Sequence, residues 1–338
     1  MEEEGDVFVR FIIRRIGFYL ITLWAALTLN FILPRLVPGD PAEAIIQDLY
    51  KKRVVPPETM RVLAVQFGLS TDPLWVQYLQ YINNLFHGQM GLSISKYPYP
   101  VMQILLEKLP WTIGLGLVTL VIGSLLGTLL GVINAWRRGS FIDNLLSPLM
   151  ILISGIPYFW LGLLVLYLLG FVLNWFPIEG GGYDATVQPG WTPDFWLSVI
   201  QYGTLPALTL IVTSLAGWML TMRNTMITTL SEDYVLMAKA KGLTGRIVML
   251  SYAARNAVLP SITGFALSLG FILGGQFLTE SVFSYPGIGY TMLVAVHDRD
   301  YPLMQGLFLL VTLSVLAANL IADLLYSVLD PRIRQGKG

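Results

Sequence analysis

The chain has 338 residues, of which 55% are hydrophobic and only 12% charged, about half the roughly 25% charge of soluble domains. A net charge of zero offers no basic excess to hold nucleic acid, and the absence of cysteine excludes disulfides, thiolate metal sites and cysteine nucleophiles. Six predominantly apolar stretches carry no charge at all: 16–34, 109–136, 144–178, 195–222, 256–279 and 301–322. A spanning helix needs about 20 mostly apolar residues, so the expected class is an all-α, polytopic membrane protein with six transmembrane helices.

The first helix is expected over about 11–33, after Arg10, Arg14 and Arg15. A basic region before an apolar run also fits a signal peptide. The run is long for that, however, and Pro34 and Pro38-Gly39-Asp40-Pro41 follow it rather than a small-x-small cleavage site. A retained spanning helix is therefore expected. The outer segment that follows reads as short helices, one from Pro57-Glu58 through Phe67 and one from Pro73 to Phe86. Residues 73–95 are too polar for lipid, with Gln77, Gln80, Asn83, Asn84, His87 and Gln89. Trp75, Tyr78, Tyr81, Tyr97 and Tyr99 suit a membrane boundary, a partner surface or a cap packed on the bundle.

The second span is expected over 109–135. Gly123, Gly127 and Gly131 make a two-step G-x-x-x-G ladder on it, a surface for close helix packing whose neighbour the spacing does not identify. The third, 145–174, is longer than one upright helix needs but short for two helices and a turn. Tilt, or a kink at Pro148 or Pro157, would absorb the excess. The fourth span is expected over 203–223, the fifth over 258–279 and the sixth over 302–325. Residues 281–297 are broken by Ser284-Tyr285-Pro286-Gly287 and are not read as a span. Lys and Arg collect on one side: Arg10, Arg14, Arg15, Arg137, Arg138, Arg223, Lys239, Lys241, Arg246, Arg255, Arg332, Arg334 and Lys337. The two short segments of the other side hold only Arg299. The positive-inside rule then places both termini in the cytoplasm.

Between the fourth and fifth spans, residues 231–260 read SEDYVLMAKAKGLTGRIVMLSYAARNAVLP. Ser231 suits an N-cap, with Glu232 and Asp233 in the first turn and Lys239 and Lys241 in the last, where each charge favours the helix dipole. Gly242 can close the helix in the left-handed conformation. Thr244 can start a second helix through about Ala257. The first helix is too short to span and too apolar on one face to remain in water.

This segment resembles the cytoplasmic loop of ABC-transporter permeases of the dipeptide/oligopeptide/nickel class, which reads approximately D/E-Y-V-x-x-A-R/K-A-K-G-L and then R-N-A-x-x-P. Here these are Asp233, Tyr234, Val235, Ala238, Lys239, Ala240, Lys241, Gly242 and Leu243, then Arg255, Asn256, Ala257 and Pro260. The resemblance extends through Pro38 to Ala42, Phe67-Gly68-Leu69, Gln77-Tyr78, Gly88 with Gly91 and Ser93, Pro100-Val101, Pro157 with Phe159 to Gly162, Glu280 to Gly289, and Asp330-Pro331-Arg332. The chain is similar to the B-type subunit of such importers. That resemblance implies the type I importer permease fold, with 1–33 as cytoplasmic N-terminus and first span and 34–108 as extracytoplasmic segment. It further implies a five-helix permease core over 109–329 with its coupling loop at 224–257, and a cytoplasmic tail at 330–338. It implies a homologous second permease, two cytoplasmic ATPase subunits that use ATP and magnesium, and an extracytoplasmic solute-binding protein. Glu232, Asp233, Tyr234, Val235, Met237, Ala238, Lys239, Ala240, Lys241, Gly242 and Leu243, with Arg255 and Asn256, would form the coupling helix that seats on an ATPase. Importers of nickel, glutathione and oligosaccharides are similar, so the solute stays open.

The other signals are weaker. No G-x-x-x-x-G-K-[ST] occurs, so ATP hydrolysis is expected from a partner and no catalytic site or cofactor from this chain. Leu273-Gly274-Gly275-Gln276 superficially resembles an ABC signature but lies inside a predicted span. Gln276 and Glu280 lie one turn apart near the outer end of span five. With Pro286 and Gly287 they read either as gate or pathway lining, or as capping and pairing. Asp323, one turn after Asn319, suits an interhelical hydrogen bond. His87 and His297 lack companions at metal-ligand spacing. The alternative of another class, an ion-coupled transporter or channel, would need ionisable residues at mid-membrane.

Overall fold

The computed structural model describes residues 2–36, 73–178 and 182–329. The Pro38–Ala42 and Phe67–Leu69 motifs, the helix expected after Pro57 and the Asp330–Arg332 end lie outside the described residues, as do Arg334, Lys337 and the side chain of Asp323. Among the described residues the elements are helical, and the extended pairing is one antiparallel bridge, Leu92 with Pro100.

The chain forms two units, residues 1–110 with 287–338 and residues 111–286. In the first unit α1 (Glu2–Leu36) packs along the last helix (Tyr301–Leu329), and Asn30 Nδ2 donates to the Gln305 carbonyl at 2.8 Å. Helix α2 (Leu74–Phe86) rests on α1, with Tyr78 edge-on to Phe31 at 5.2 Å and its hydroxyl 2.8 Å from Thr28 Oγ1. Asp300 caps the last helix: Oδ1 accepts the Leu303 N–H at 3.1 Å. Its Oδ2 accepts the Ser95 N–H and hydroxyl, both at 2.9 Å, and the Ser93 hydroxyl. The buried acid thus ties the 93–95 segment to the N-terminal end of that helix, a role for Ser93 that its place in a motif did not disclose.

In the second unit the helices are α3 (Val101–Trp136), which enters it from Trp111, then α4 (Phe141–Gly155), α5 (Tyr158–Val165, continued by a π-helical turn Leu166–Val172) and α6 (Pro193–Thr229). The third charge-free run is two helices bent by 100°, not one tilted or kinked helix. Pro148 sits within α4 without ending it. The break falls where Gly155 ends α4 and Ile156, the residue before Pro157, is extended at φ −86, ψ 125. Proline's ring disfavours helical geometry in the residue preceding it.

The bent pair nevertheless follows α6 along its length. Asp143 pairs with Arg223, Met150 clusters with Ala216 and Met219, Gly162 meets Thr209, and Tyr183 meets Phe195. Rising numbers on one path face falling numbers on α6, so 143–183 runs antiparallel to α6 from one end to the other.

The fifth predicted span is also interrupted. After α7 (Asp233–Ala240), α8 (Leu259–Gly270) is followed by a single turn Ile272–Gly275 and then α9 (Phe277–Val282), with breaks at Phe271 and Gln276. After α10 (Ile288–His297), the last helix is α11 (Tyr301–Leu329). Among the described residues four helices are long and apolar enough to cross a membrane, and the bent pair makes five. The segment expected as a sixth is the interrupted one.

Candidate functional site

Helix α7 does not start as its sequence suggests. The N-cap is Glu232, at φ −71, ψ 144, without a side-chain cap. Ser231 instead spends its hydroxyl on the Thr228 carbonyl at 2.6 Å, closing α6. The far end follows expectation. Gly242 takes φ +74, the Leu243 N–H reaches the Ala238 carbonyl at 3.4 Å and the Gly242 N–H the Lys239 carbonyl at 3.0 Å. This is the Schellman closure that glycine permits. From Gly245 the chain stays helical to Ala257, with a π-helical stretch Val248–Ala254 that periodicity does not announce.

The apolar face of α7 is divided. Val235 and Ala238 are buried with Val248 against Trp136, Leu230, Leu243 and Tyr252. Tyr234 and Met237 remain 38% and 58% exposed, and Leu236, Ile247 and Leu250 are exposed beside them. The Tyr234 hydroxyl accepts from Asn256 Nδ2 at 2.8 Å, so two candidate residues 22 positions apart meet. Glu232, Asp233, Lys239, Ala240, Lys241 and Arg255 are exposed. Beneath the loop, Ala253 and Ala257 pack with Val132, Ala135, Met222 and Met226. Close-packed contacts therefore join α7 to the ends of α3 and α6.

Next to this seat lies a buried polar cluster that reading the sequence missed. Arg223 donates to Asp143 Oδ1 through Nε at 2.8 Å and to Oδ2 through Nη2 at 3.0 Å. Gly139 N–H and Ser147 Oγ also donate to Asp143, at 2.9 and 2.8 Å, and Asn134 Nδ2 donates to Ser147 at 2.8 Å. In the sequence Asp143 is simply the charge immediately before the uncharged run 144–178. The available signal was Ser140, an N-cap that accepts the Asp143 N–H and so points the acid into the first turn of α4.

The glycine ladder has its neighbour in the same chain. A Cβ on Gly127 would stand 2.5 Å from Trp218 Cβ and 2.9 Å from the Leu215 carbonyl oxygen. One on Gly131 would stand 2.7 Å from the Met219 carbonyl oxygen, and one on Gly123 would meet Ser214 Oγ. All three face α6.

At the far end of the interrupted helix Glu280 is 0% exposed and its carbonyl accepts the Tyr285 N–H at 2.8 Å. Burial first, then the Glu280 charge, raises the Tyr285 phenol above its ordinary range and keeps its proton on. Trp111 stacks on Tyr183 at 5.8 Å and meets Tyr285 edge-on at 5.9 Å. Gly182, at φ +79, lies so close to Pro286 that a Cβ would be 2.6 Å from its ring. Pro286 thus belongs to an aromatic cluster, whereas Gly287 is the N-cap of α10. Gln276 is buried at the second helix break, a full turn from Glu280, whose N–H donates to its carbonyl at 2.9 Å.

Residues 123–335 match the model of the binding-protein-dependent transport system inner membrane component family, and residues 8–116 match the N-terminal model of the same membrane components. The chain is 33% identical over 344 residues to the dipeptide transport system permease protein DppB of Escherichia coli (strain K12), covering 97% of this chain and 100% of that protein. It is 35% identical over 336 residues to the di/tripeptide transport system permease protein DppB of Pseudomonas aeruginosa (strain UCBPP-PA14), covering 96% and 98%. It is 36% identical over 323 residues to the probable D,D-dipeptide transport system permease protein DdpB of Escherichia coli (strain K12), covering 92% and 93%.

Proposed function

The chain belongs to the family of inner membrane components of binding-protein-dependent transport systems, and from that we infer that it forms one half of the membrane pathway of an ATP-driven peptide importer. It is a multi-pass membrane protein with a transport role. The observation that carries the coupling part is the divided face of α7. One side is fixed to α3 and α6, while Tyr234, Leu236 and Met237 lie uncovered on a helix too short to enter the bilayer. A cytoplasmic ATPase subunit is the partner that would bury that side.

In this reading a homologous second permease completes the pathway, and two ATPase subunits bind ATP and magnesium. An extracytoplasmic binding protein delivers the solute, and both termini are cytoplasmic. Closure of the ATPases would draw the two α7 seats together. The rigid 245–257 segment would pass that displacement to α3, α6 and the interrupted fifth span as a rigid-body rotation. Peptides as solutes are supported by the dipeptide and di/tripeptide systems of the relatives.

The test is co-purification. Burying a Tyr and a Met side chain contributes about 1.5–3 kcal/mol each, so Tyr234→Asp with Met237→Asp should remove most of the ATPase that copurifies with the permease. Membrane insertion should be unchanged. Full ATPase recovery with that double variant overturns docking through this face.

A further inference from the structure

A cavity of about 610 Å³ lies where the two interrupted helices approach each other. Its wall includes the α4–α5 break from Ile153 to Tyr158, Thr213 and Ser214 of α6, and Ser268, Phe271, Ile272 and Gln276 around the second break. All of it belongs to the 111–286 unit. Non-helical backbone inside a membrane protein is tolerated where it lines a cavity or is covered by protein, and discontinuous helices bracket solute sites in transporters.

The serine and threonine hydroxyls of this wall share one chemical sense. The hydroxyls of Thr119, Ser154, Thr213, Ser214 and Ser268 each donate to a carbonyl three or four residues back on their own helices, at 2.7 to 3.2 Å. Their protons are committed and their lone pairs are not. Gln276 is 8% exposed, and its Oε1 is buried without a hydrogen-bond partner. Gly116 of α3 leaves room for this amide, because a Cβ there would run into Gln276 Nε2 and Ile272 Cγ2. No acidic, basic or histidine side chain lines the cavity. It presents these acceptors beside two donors, the Tyr158 phenol and the Gln276 amide NH2, and no charge.

We propose that this cavity is a transit site for uncharged hydrogen-bond donors on the solute, with Gln276 Oε1 as the acceptor. The proposal rests on the importer reading, which supplies a peptide N–H as the donor; a sugar hydroxyl is the other source of the same chemistry. With no charge to meet a terminal amine or carboxylate, the site engages the neutral middle of the solute rather than its ends.

The chain's lack of cysteine provides the test. In the assembled transporter, Ser268→Cys is the permease's unique thiol and its reaction with N-ethylmaleimide is timed. N-methylacetamide, which has one N–H, is compared with N,N-dimethylacetamide, which has none. One hydrogen bond predicts about three- to tenfold slower labelling with the first amide than with the second. That difference should vanish in Gln276→Met, which keeps length and removes the acceptor.

Equal effects of the two amides, or a difference that survives Gln276→Met, overturn the site. So does a thiol that never reacts in any nucleotide state, which would mean the second permease seals the cavity. Uptake into proteoliposomes then separates the site from the solute class. Ala-Ala uptake that falls in Gln276→Met, with glycyl-sarcosine uptake unchanged, supports a peptide N–H. Import of maltotriose and of neither dipeptide ends the peptide reading while leaving the amide result standing.

Discussion

Residues that carry no charge and little bulk set the closest contacts in this protein. Gly131 lets the Met219 carbonyl of α6 approach to where a Cβ would be only 2.7 Å away. Gly131→Ala forces two helix backbones apart, an overpacking that costs about 1–3 kcal/mol. Gly114→Ala on the same helix meets nothing within 4 Å and should be neutral or slightly stabilising through helix propensity. Thermal unfolding of the purified complex should place Gly131→Ala several degrees below wild type and Gly114→Ala at or above it. The ladder was legible because a spacing of four repeats one helical face; its neighbour was not, since spacing says nothing about what lies opposite. Asp143 was not legible either, because its value depends on Arg223, 80 residues away. Removing one partner of such a pair strands the other charge. Asp143→Asn should cost toward the lower end of about 3–5 kcal/mol. Adding Arg223→Gln to it should restore part of the loss, a coupling of about 0.5–3 kcal/mol in a double-mutant cycle. Strictly additive losses would show that the pair is not coupled.

At the level of elements, what could be read and what could not divide along local chemistry. The α7 stop was legible because Gly242 alone in its neighbourhood tolerates φ +74; its start was not, because Ser231 had a competing acceptor in Thr228. Pro148 and Pro157 look alike in a sequence, yet only the second ends a helix. There a glycine and an extended pre-proline residue reinforce it, whereas Pro148 forgoes one hydrogen bond inside a packed helix. The breaks at Phe271 and Gln276 carry no proline; each follows a glycine, Gly270 and Gly275, a residue that membrane helices also tolerate in their interior. Closure by Gly242 positions the turn between α7 and the 245–257 segment, so its geometry should govern coupling more than assembly. Gly242→Val places a β-branched side chain in the left-handed region at a cost of about 1–3 kcal/mol. ATP hydrolysis by the reconstituted complex should continue while solute uptake falls severalfold. Uptake that stays in proportion to hydrolysis would remove this turn from the coupling path.

For the whole molecule, the number of crossings decides which face each loop occupies. Hydropathy placed a third span across 145–174, and a 100° bend invites the opposite conclusion, that the pair dips in and returns on the same side. The packing against α6 supports a single crossing. Asp143 sits at the Arg223 end of α6 and Tyr183 near its start beside Phe195, with Met150 and Gly162 meeting residues in between. A re-entrant path would bring residues 143 and 183 to the same end of α6, which the contacts do not allow. The positive-inside reading then assigns the Arg137-Arg138 end to the cytoplasm, together with α7, whose core includes Trp136. Single cysteines in this otherwise cysteine-free chain make the arrangement measurable. Gly139→Cys and Ser231→Cys should react with a membrane-impermeant maleimide only when it is given from the cytoplasmic face, and Ala185→Cys only from outside. Labelling of Ala185→Cys from the same face as Gly139→Cys would turn the bent pair into a re-entrant loop. It would also move α7 away from any cytoplasmic ATPase, because α6 would then carry the chain outward.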